Sequence, residues 1–114
     1  EVPTPHVVLK STVTATQANF IAYSGACRLY AAYVDSPSAA VLGSIVRFYD
    51  GDTVMVAAMS IPPAQVGGCL FLAGSDGIGI PFATDLRIEA TKIADGTTTP
   101  DSGDNPHVTV IIGY

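Results

Sequence analysis

A chain of 114 residues that is 48% apolar and only 13% charged has enough material for one hydrophobic core, not two. Ten acidic against five basic side chains leave a net charge of −5, the wrong sign for a nucleic-acid binder, whose footprint is a clustered Lys/Arg patch. Eleven Gly and eight Pro interrupt the chain too often for long helices, and the supply of Val, Ile, Leu and Phe excludes a disordered chain.

Residues 1–6, EVPTPH, carry two prolines and no core pattern, so they read as an extended arm ahead of a domain over 7–114. Val7 to Thr16 is rich in β-branched residues and suits one long strand or two short ones. Asn19 to Ala26 ends in the turn signal Ser24-Gly25. The run 27–34 alternates, which sets Leu29, Ala31 and Tyr33 on one face and Arg28, Tyr30, Ala32 and Val34 on the other. DSPSA (35–39) is a loop, and 42–49 is a strand with Ile45, Arg47 and Tyr49 opposite Val46 and Phe48. Asp50-Gly51-Asp52 is a hairpin turn. Thr53 to Ile61 follows; Met55, Ala57, Ala58 and Met59 would suit a helix, but Val54, Val56 and the terminating Pro62-Pro63 favour a strand.

CLFLA (69–73) is short and wholly apolar, as a strand inside a sandwich would be. GSDGIGIPF (74–82) is a Gly-rich connection leading into a brief extended piece. DLRIEATKI (85–93) alternates cleanly, with Leu86, Ile88 and Ala90 inward and Arg87, Glu89 and Thr91 outward; Arg87 and Glu89 are expected to pair on that outer face. Residues 94–106 form a long polar loop, and HVTVIIGY (107–114) closes the chain with Val108, Val110 and Ile112 on one face. Short strands at this regular spacing predict an all-β fold: a single-domain antiparallel β-sandwich, jelly-roll-like, of about eight strands. No internal repeat is present. Several strands are apolar on both faces, which points to assembly with another subunit.

The twenty-three uncharged residues from Thr53 to Ser75 are long enough to span a bilayer. Pro62-Pro63 near the centre would free backbone groups that lipid cannot satisfy, so two short strands and a loop are the better reading. The chain starts at Glu1 and shows no basic-then-apolar signal segment.

Chemistry is sparse. Cys27 and Cys69 are too few for a disulfide framework or a structural zinc site; they are either two buried thiols or one disulfide. His6 and His107 lie near opposite ends, and no GxSxG elbow accompanies them. Paired carboxylates would have to come from Asp35, Asp50, Asp52, Asp76, Asp85 or Glu89, and five of these six sit in turns or at strand ends, where Asp caps backbone groups. Asp95, Asp101, Asp104 and Asn105 crowd one loop that could offer calcium several oxygens, without EF-hand spacing. GIGIP (77–81) lacks the Lys-Ser/Thr and helix of a phosphate loop, so its glycines serve backbone geometry. No cofactor is expected, and no enzyme. Tyr30, Tyr33, Tyr49 and Tyr114 are the interface candidates, because a tyrosine ring buries area while its hydroxyl still finds a partner.

Three segments carry a family resemblance. SGACRLYAAYVDSPSAAVLGSIVRFYDG (24–51) resembles small virion structural proteins of tailed bacteriophages, in which a Ser-Gly-x-x-x-Leu-Tyr strand leads to a tyrosine-valine pair, a small-residue loop, and a strand ending in an aromatic and Asp. IPPAQVGGCLFLAGSDGIGIPFATDLRI (61–88) is similar to their Ile-Pro loop and to a later segment matched here by Asp76, Gly77, Ile78, Ile80 and Leu86. VTVIIGY is similar to their terminal aliphatic strand closed by tyrosine. The resemblance spans 24–114, and it rests on packing and turn residues in order.

It implies a capsid decoration, or cement, protein. Such a protein is a small β-sandwich that binds the outer face of an assembled shell, acts as a dimer or trimer, and has the major capsid protein as partner. Nucleic acid and membrane are not expected as partners. The expected location is the virion surface after synthesis in the host bacterial cytoplasm. Val2, Pro3 and Pro5 of the arm would reach a neighbour at reduced ordering cost. The alternatives are a neck, tail or head-fibre component, a carbohydrate-binding sandwich, against which the lack of Trp weighs, and a hydrolase using His107 or Asp76.

Overall fold

A sheet with one apolar face can bury it only against another layer. The computed structural model, which describes residues 5–12, 20–35, 42–62, 69–72, 79–92, 96–98, 100 and 105–114, meets that demand with two antiparallel sheets. Among the described residues there are nine strands: β1 (Pro5–Thr12), β2 (Phe20–Ser24), β3 (Cys27–Asp35), β4 (Ser44–Asp50), β5 (Val54–Ile61), β6 (Cys69–Leu72), β7 (Ile80–Phe82), β8 (Asp85–Lys92) and β9 (His107–Gly113). One sheet has the order β1-β9-β3-β6, with β7 also on β3; the other has the order β2-β8-β4-β5.

β6 pairs with Ala31–Val34 and β7 with Cys27–Leu29, so the two lie end to end along one edge of β3 like a single interrupted strand. The pairings then nest. The first strand lies beside the last, the second beside β8, the third beside β6 and β7, and the fourth beside the fifth. A long folded ribbon rolled into two sheets in this way is a jelly roll. The expected fold class is therefore what the chain adopts.

Alternation fills the space between the sheets. Leu29, Ala32 and Val34 of β3, Val108, Val110 and Ile112 of β9, and Phe82 of β7 meet Val46 and Phe48 of β4, Leu86, Ile88 and Ala90 of β8, and Ile61 of β5 in one buried cluster. The inward set expected for β8, Leu86, Ile88 and Ala90, is buried, and the shared faces read for β4 (Val46, Phe48) and β9 (Val108, Val110, Ile112) are the buried ones. β3 departs from expectation. Its register against β9 slips between Leu29 and Ala31, so Tyr30 is an extra residue and the inward set changes to Ala32 and Val34. A one-residue bulge moves every later side chain to the opposite face. Tyr33 consequently points outward, 45% exposed, although strict alternation put it with Leu29.

Other boundaries shift less. β1 begins at Pro5, inside the segment read as an arm, while residues 1–4, with Val2 and Pro3, lie outside the described residues. The uncharged stretch from Thr53 supplies strands β5 and β6, and no described helix is long and apolar enough to cross a membrane. Cys27 is a buried free thiol. The backbone of Cys69 lies opposite Val34, seven residues along β3 from Cys27, or about 23 Å at strand rise, far beyond disulfide reach.

Gly79 shows why one glycine of the 77–81 run is required. Its φ is +82°, and a Cβ there would lie 2.8 Å from the Leu29 carbonyl oxygen and 3.2 Å from the Tyr30 ring, against the β3 bulge. Gly51, at φ +75°, has nothing within 4 Å. Gly51→Ala should therefore cost about 1 kcal/mol from backbone conformation alone. Gly79→Ala should cost clearly more, because backbone must move. Phe48→Ala, at the centre of the core, should cost about 3–5 kcal/mol. Urea denaturation of the three variants checks this ranking.

Candidate functional site

At one end of the β4–β8 sheet two aspartates on neighbouring strands grip each other's turns. Asp50, closing β4, accepts hydrogen bonds from the backbone N–H groups of Ala83 and Thr84, both at 2.9 Å, through its two carboxylate oxygens. Asp85, opening β8, accepts one from the Gly51 N–H at 2.9 Å. The arrangement is reciprocal: each strand end caps the turn beside the other. Arg87 closes it, donating from Nε to both oxygens of Asp85 at 3.3 and 3.2 Å and pairing with Asp52 through its guanidinium. The amides of Ala83 and Thr84 hold the Asp50 carboxyl below its ordinary pKa.

This geometry corrects the expected Arg87–Glu89 pair. Glu89 is instead engaged by β4: Arg47 Nη1 lies 3.4 Å from its Oε1 and the Tyr49 hydroxyl donates to the same oxygen at 3.2 Å. Arg47 also donates to the Thr91 hydroxyl at 2.8 Å. Arg47 is register-paired with Glu89, so neighbouring strands supply the partner. Burial, and then the Glu89 charge, raises the Tyr49 pKa. After β8 the chain turns back, with Gly96 N–H donating to the Lys92 carbonyl at 2.8 Å, and Gly96 sits beside Arg47.

At the end of the β3–β9 sheet, Cys27, Arg28, Pro81, Phe82, Gly113 and Tyr114 line a groove of about 300 Å³. The Tyr114 ring stacks on Tyr23, centroids 4.6 Å apart, and so ties the end of β9 to β2 of the other sheet. Burial, and then the charges of Asp50 and Asp85, push the Cys27 thiol up to about 11. On the outer face of the same sheet His107 Nδ1 lies 3.2 Å from Asp35 Oδ1, an ion pair when the imidazole is protonated.

The structure does not gather the four interface tyrosines into one patch. Tyr33 lies on the outer face of the β3–β9 sheet and Tyr49 on the outer face of the β4–β8 sheet, where it is half-buried and bound to Glu89. Tyr30 sits in the β3 bulge against Gly79, and Tyr114, 57% exposed, lies at the sandwich end. Pro5 opens β1. Exposed apolar side chains that were not singled out in the sequence are Ile21 at 48%, Leu42 at 38%, Val54 at 58% and Met55 at 53%. A run without charges around β5 was the available signal for the last two.

Asp76, Asp95, Asp101 and Asp104 lie outside the described residues, and among the described residues no group of three or more His, Cys, Asp or Glu side chains could hold a metal ion. The carboxylates of Asp50, Asp85 and Glu89 act as acceptors that fix turns and strands.

Two outcomes follow from the aspartate clamp. Asp50 has a folded-state pKa below its unfolded value, so its contribution to stability is present above about pH 4 and is lost as pH falls through the lower folded value. Asp50→Asn should be less stable than the parent at pH 7 and converge with it in strong acid, as read by urea midpoints across pH. Native alkylation at pH 8 followed by peptide mapping should leave Cys27 unmodified, whereas unfolding should expose it.

No protein-family model matches the chain, and no curated protein does. Among solved structures there is a weak similarity to a viral capsid protein. The VP2 subviral particle of infectious bursal disease virus aligns over 96% of this chain and 32% of that chain, at 10% identity and a TM-score of 0.32. The Gx strain of the same virus aligns over 96% and 26%, at 13% identity and a TM-score of 0.28. The chain thus spans a third or less of the length of the structures it matches.

Proposed function

We propose that this chain is a non-enzymatic structural protein of a bacteriophage virion, of the capsid decoration type, that binds the outer shell and stabilises it. The observation that carries the reading is what a rigid jelly roll with clamped turns leaves outside: large side chains exposed on its faces, edges and end that are apolar or aromatic, namely Ile21, Tyr33, Val54, Met55 and Tyr114. A cement protein works by burying such side chains against a shell. The resemblance of residues 24–114 to small virion proteins supports the same conclusion. In this reading the major capsid protein is the partner, the capsid surface is the location, and copies of the chain associate with one another.

The outer face of the β3–β9 sheet suits the shell contact. Tyr33 stands there between β9 and β6, opposite Thr109 on one side and register-paired with Leu70 on the other. A neck, tail or head-fibre position would use the same face at far lower copy number.

Sedimentation of purified protein with mature capsids stripped of their small outer proteins tests the proposal. Saturation at a stoichiometry comparable with the number of capsid subunits, with raised resistance to heat, is the expected result. Binding at a handful of copies, or none, would overturn the decoration reading and move the protein to the neck or tail. Tyr33→Ala should weaken binding about tenfold while leaving the melting temperature nearly unchanged.

A further inference from the structure

The sequence holds three Asp-Gly pairs, at 50–51, 76–77 and 95–96. This dipeptide is chemically labile, because a glycine nitrogen meets no side-chain hindrance as it attacks the aspartyl side chain before it. The nitrogen bonds to Cγ, and one carboxyl oxygen leaves as water with the carboxyl proton and the amide proton, which closes a succinimide ring. Water then opens the ring. Cleavage between nitrogen and Cγ restores aspartate; cleavage between nitrogen and the main-chain carbonyl carbon leaves isoaspartate, with the backbone rerouted through Cβ and Cγ. At Asp50–Gly51 no crowding opposes this chemistry. A Cβ at Gly51 would meet no atom within 4 Å, and the adjoining Asp52 is 79% exposed, so the turn is open to water.

We propose that Asp50 is a latent isoaspartate modification site held shut by the aspartate clamp, and that it reacts through local opening of the clamp and not through unfolding of the sandwich. Hydrogen bonds restrain both reacting groups. The Ala83 and Thr84 N–H groups hold the two Asp50 oxygens at 2.9 Å, so closing the ring has to break those bonds. The Gly51 N–H donates to Asp85 Oδ1 at 2.9 Å. Attack requires the nitrogen to lose that proton, and a carboxylate beside it favours the N–H over the anion. Asp85 is buried and fixed by Arg87 Nε, so its charge stays against the amide. The amides that hold Asp50 also favour its ionised form, a poorer electrophile than the neutral acid. The product cannot rebuild the clamp: isoaspartate carries its carboxylate directly on Cα and lengthens the main chain between β4 and the turn. The site does not depend on the virion reading, since it requires only this chain and water.

Peptide mapping of isoaspartate, after incubation of the purified chain in warm neutral buffer with and without denaturing urea, tests it. In urea all three Asp-Gly pairs should isomerise. In the folded chain isoaspartate at position 50 should accumulate at least about tenfold more slowly than in urea. Asp85→Ala, with an unchanged far-UV spectrum, should raise the folded-state rate at position 50 about tenfold. Asp85→Asn keeps an acceptor oxygen without the charge and should fall between that variant and the parent; it carries the comparison if Asp85→Ala does not fold. Val110→Ala opens a cavity under the other sheet, away from the clamp, and should lower the urea midpoint while leaving the folded-state rate at position 50 close to the parent's. Equal rates at position 50 in the folded and urea-unfolded parent would overturn the proposal. So would Asp85 variants that isomerise there no faster than the parent, or a rise that Val110→Ala reproduces, which would trace the reaction to global unfolding.

Discussion

Two sheets, each with a single apolar face, have to bury those faces against each other, and every other feature of this molecule is arranged around that burial. Phe48 and Phe82, from opposite sheets, are essentially inaccessible, and the aliphatic residues of β3, β8 and β9 fill the space around them. Nested pairing of first strand with last makes the cluster a property of the whole chain, not of one hairpin. It also decides where function can lie. With the interior full, a partner finds outer faces, edges and the groove at one end.

Low charge gives the few ionic groups particular jobs. Only fifteen side chains are Asp, Glu, Lys or Arg, and those around the β4–β5 and β7–β8 turns lock the ends of the two strands that run through the centre of one sheet. The Asp50–Asp85 exchange is local electrostatics with a global effect. It fixes the start of β8 relative to β4, and therefore the register that brings Arg47 to Glu89. The same aspartates add to burial in keeping the Cys27 thiol protonated, so a cysteine lining the groove remains inert.

Strands were legible where period-two alternation is uninterrupted, as in 85–92 and 107–113, and the jelly roll followed from their number and spacing. Bulges were not. Nothing in RLYAAYV marks Tyr30 as the extra residue, yet that one slip turns Tyr33 from the core to the surface. Pairing partners were hidden for a different reason. Arg87 has carboxylates two residues away on both sides of it; Asp85, with Asp52 of the neighbouring turn, takes Arg87, while Glu89 lies directly across the ladder from Arg47 and pairs there. The aspartates were legible as turn residues, while their reciprocity depends on strand order, which no local pattern encodes. The interface tyrosines were chosen by residue type, and the crossing of the chain between sheets distributes them over opposite surfaces.

The shell contact proposed for the outer side of the β3–β9 sheet rests on the bulge at Tyr30, which turns Tyr33 outward. Cryo-electron microscopy of capsids saturated with the protein tests that contact most directly. The account predicts density for a jelly roll on the capsid surface with Tyr33 directed at the shell. Bare capsids, or density with the Tyr33 face turned to solvent, would contradict it.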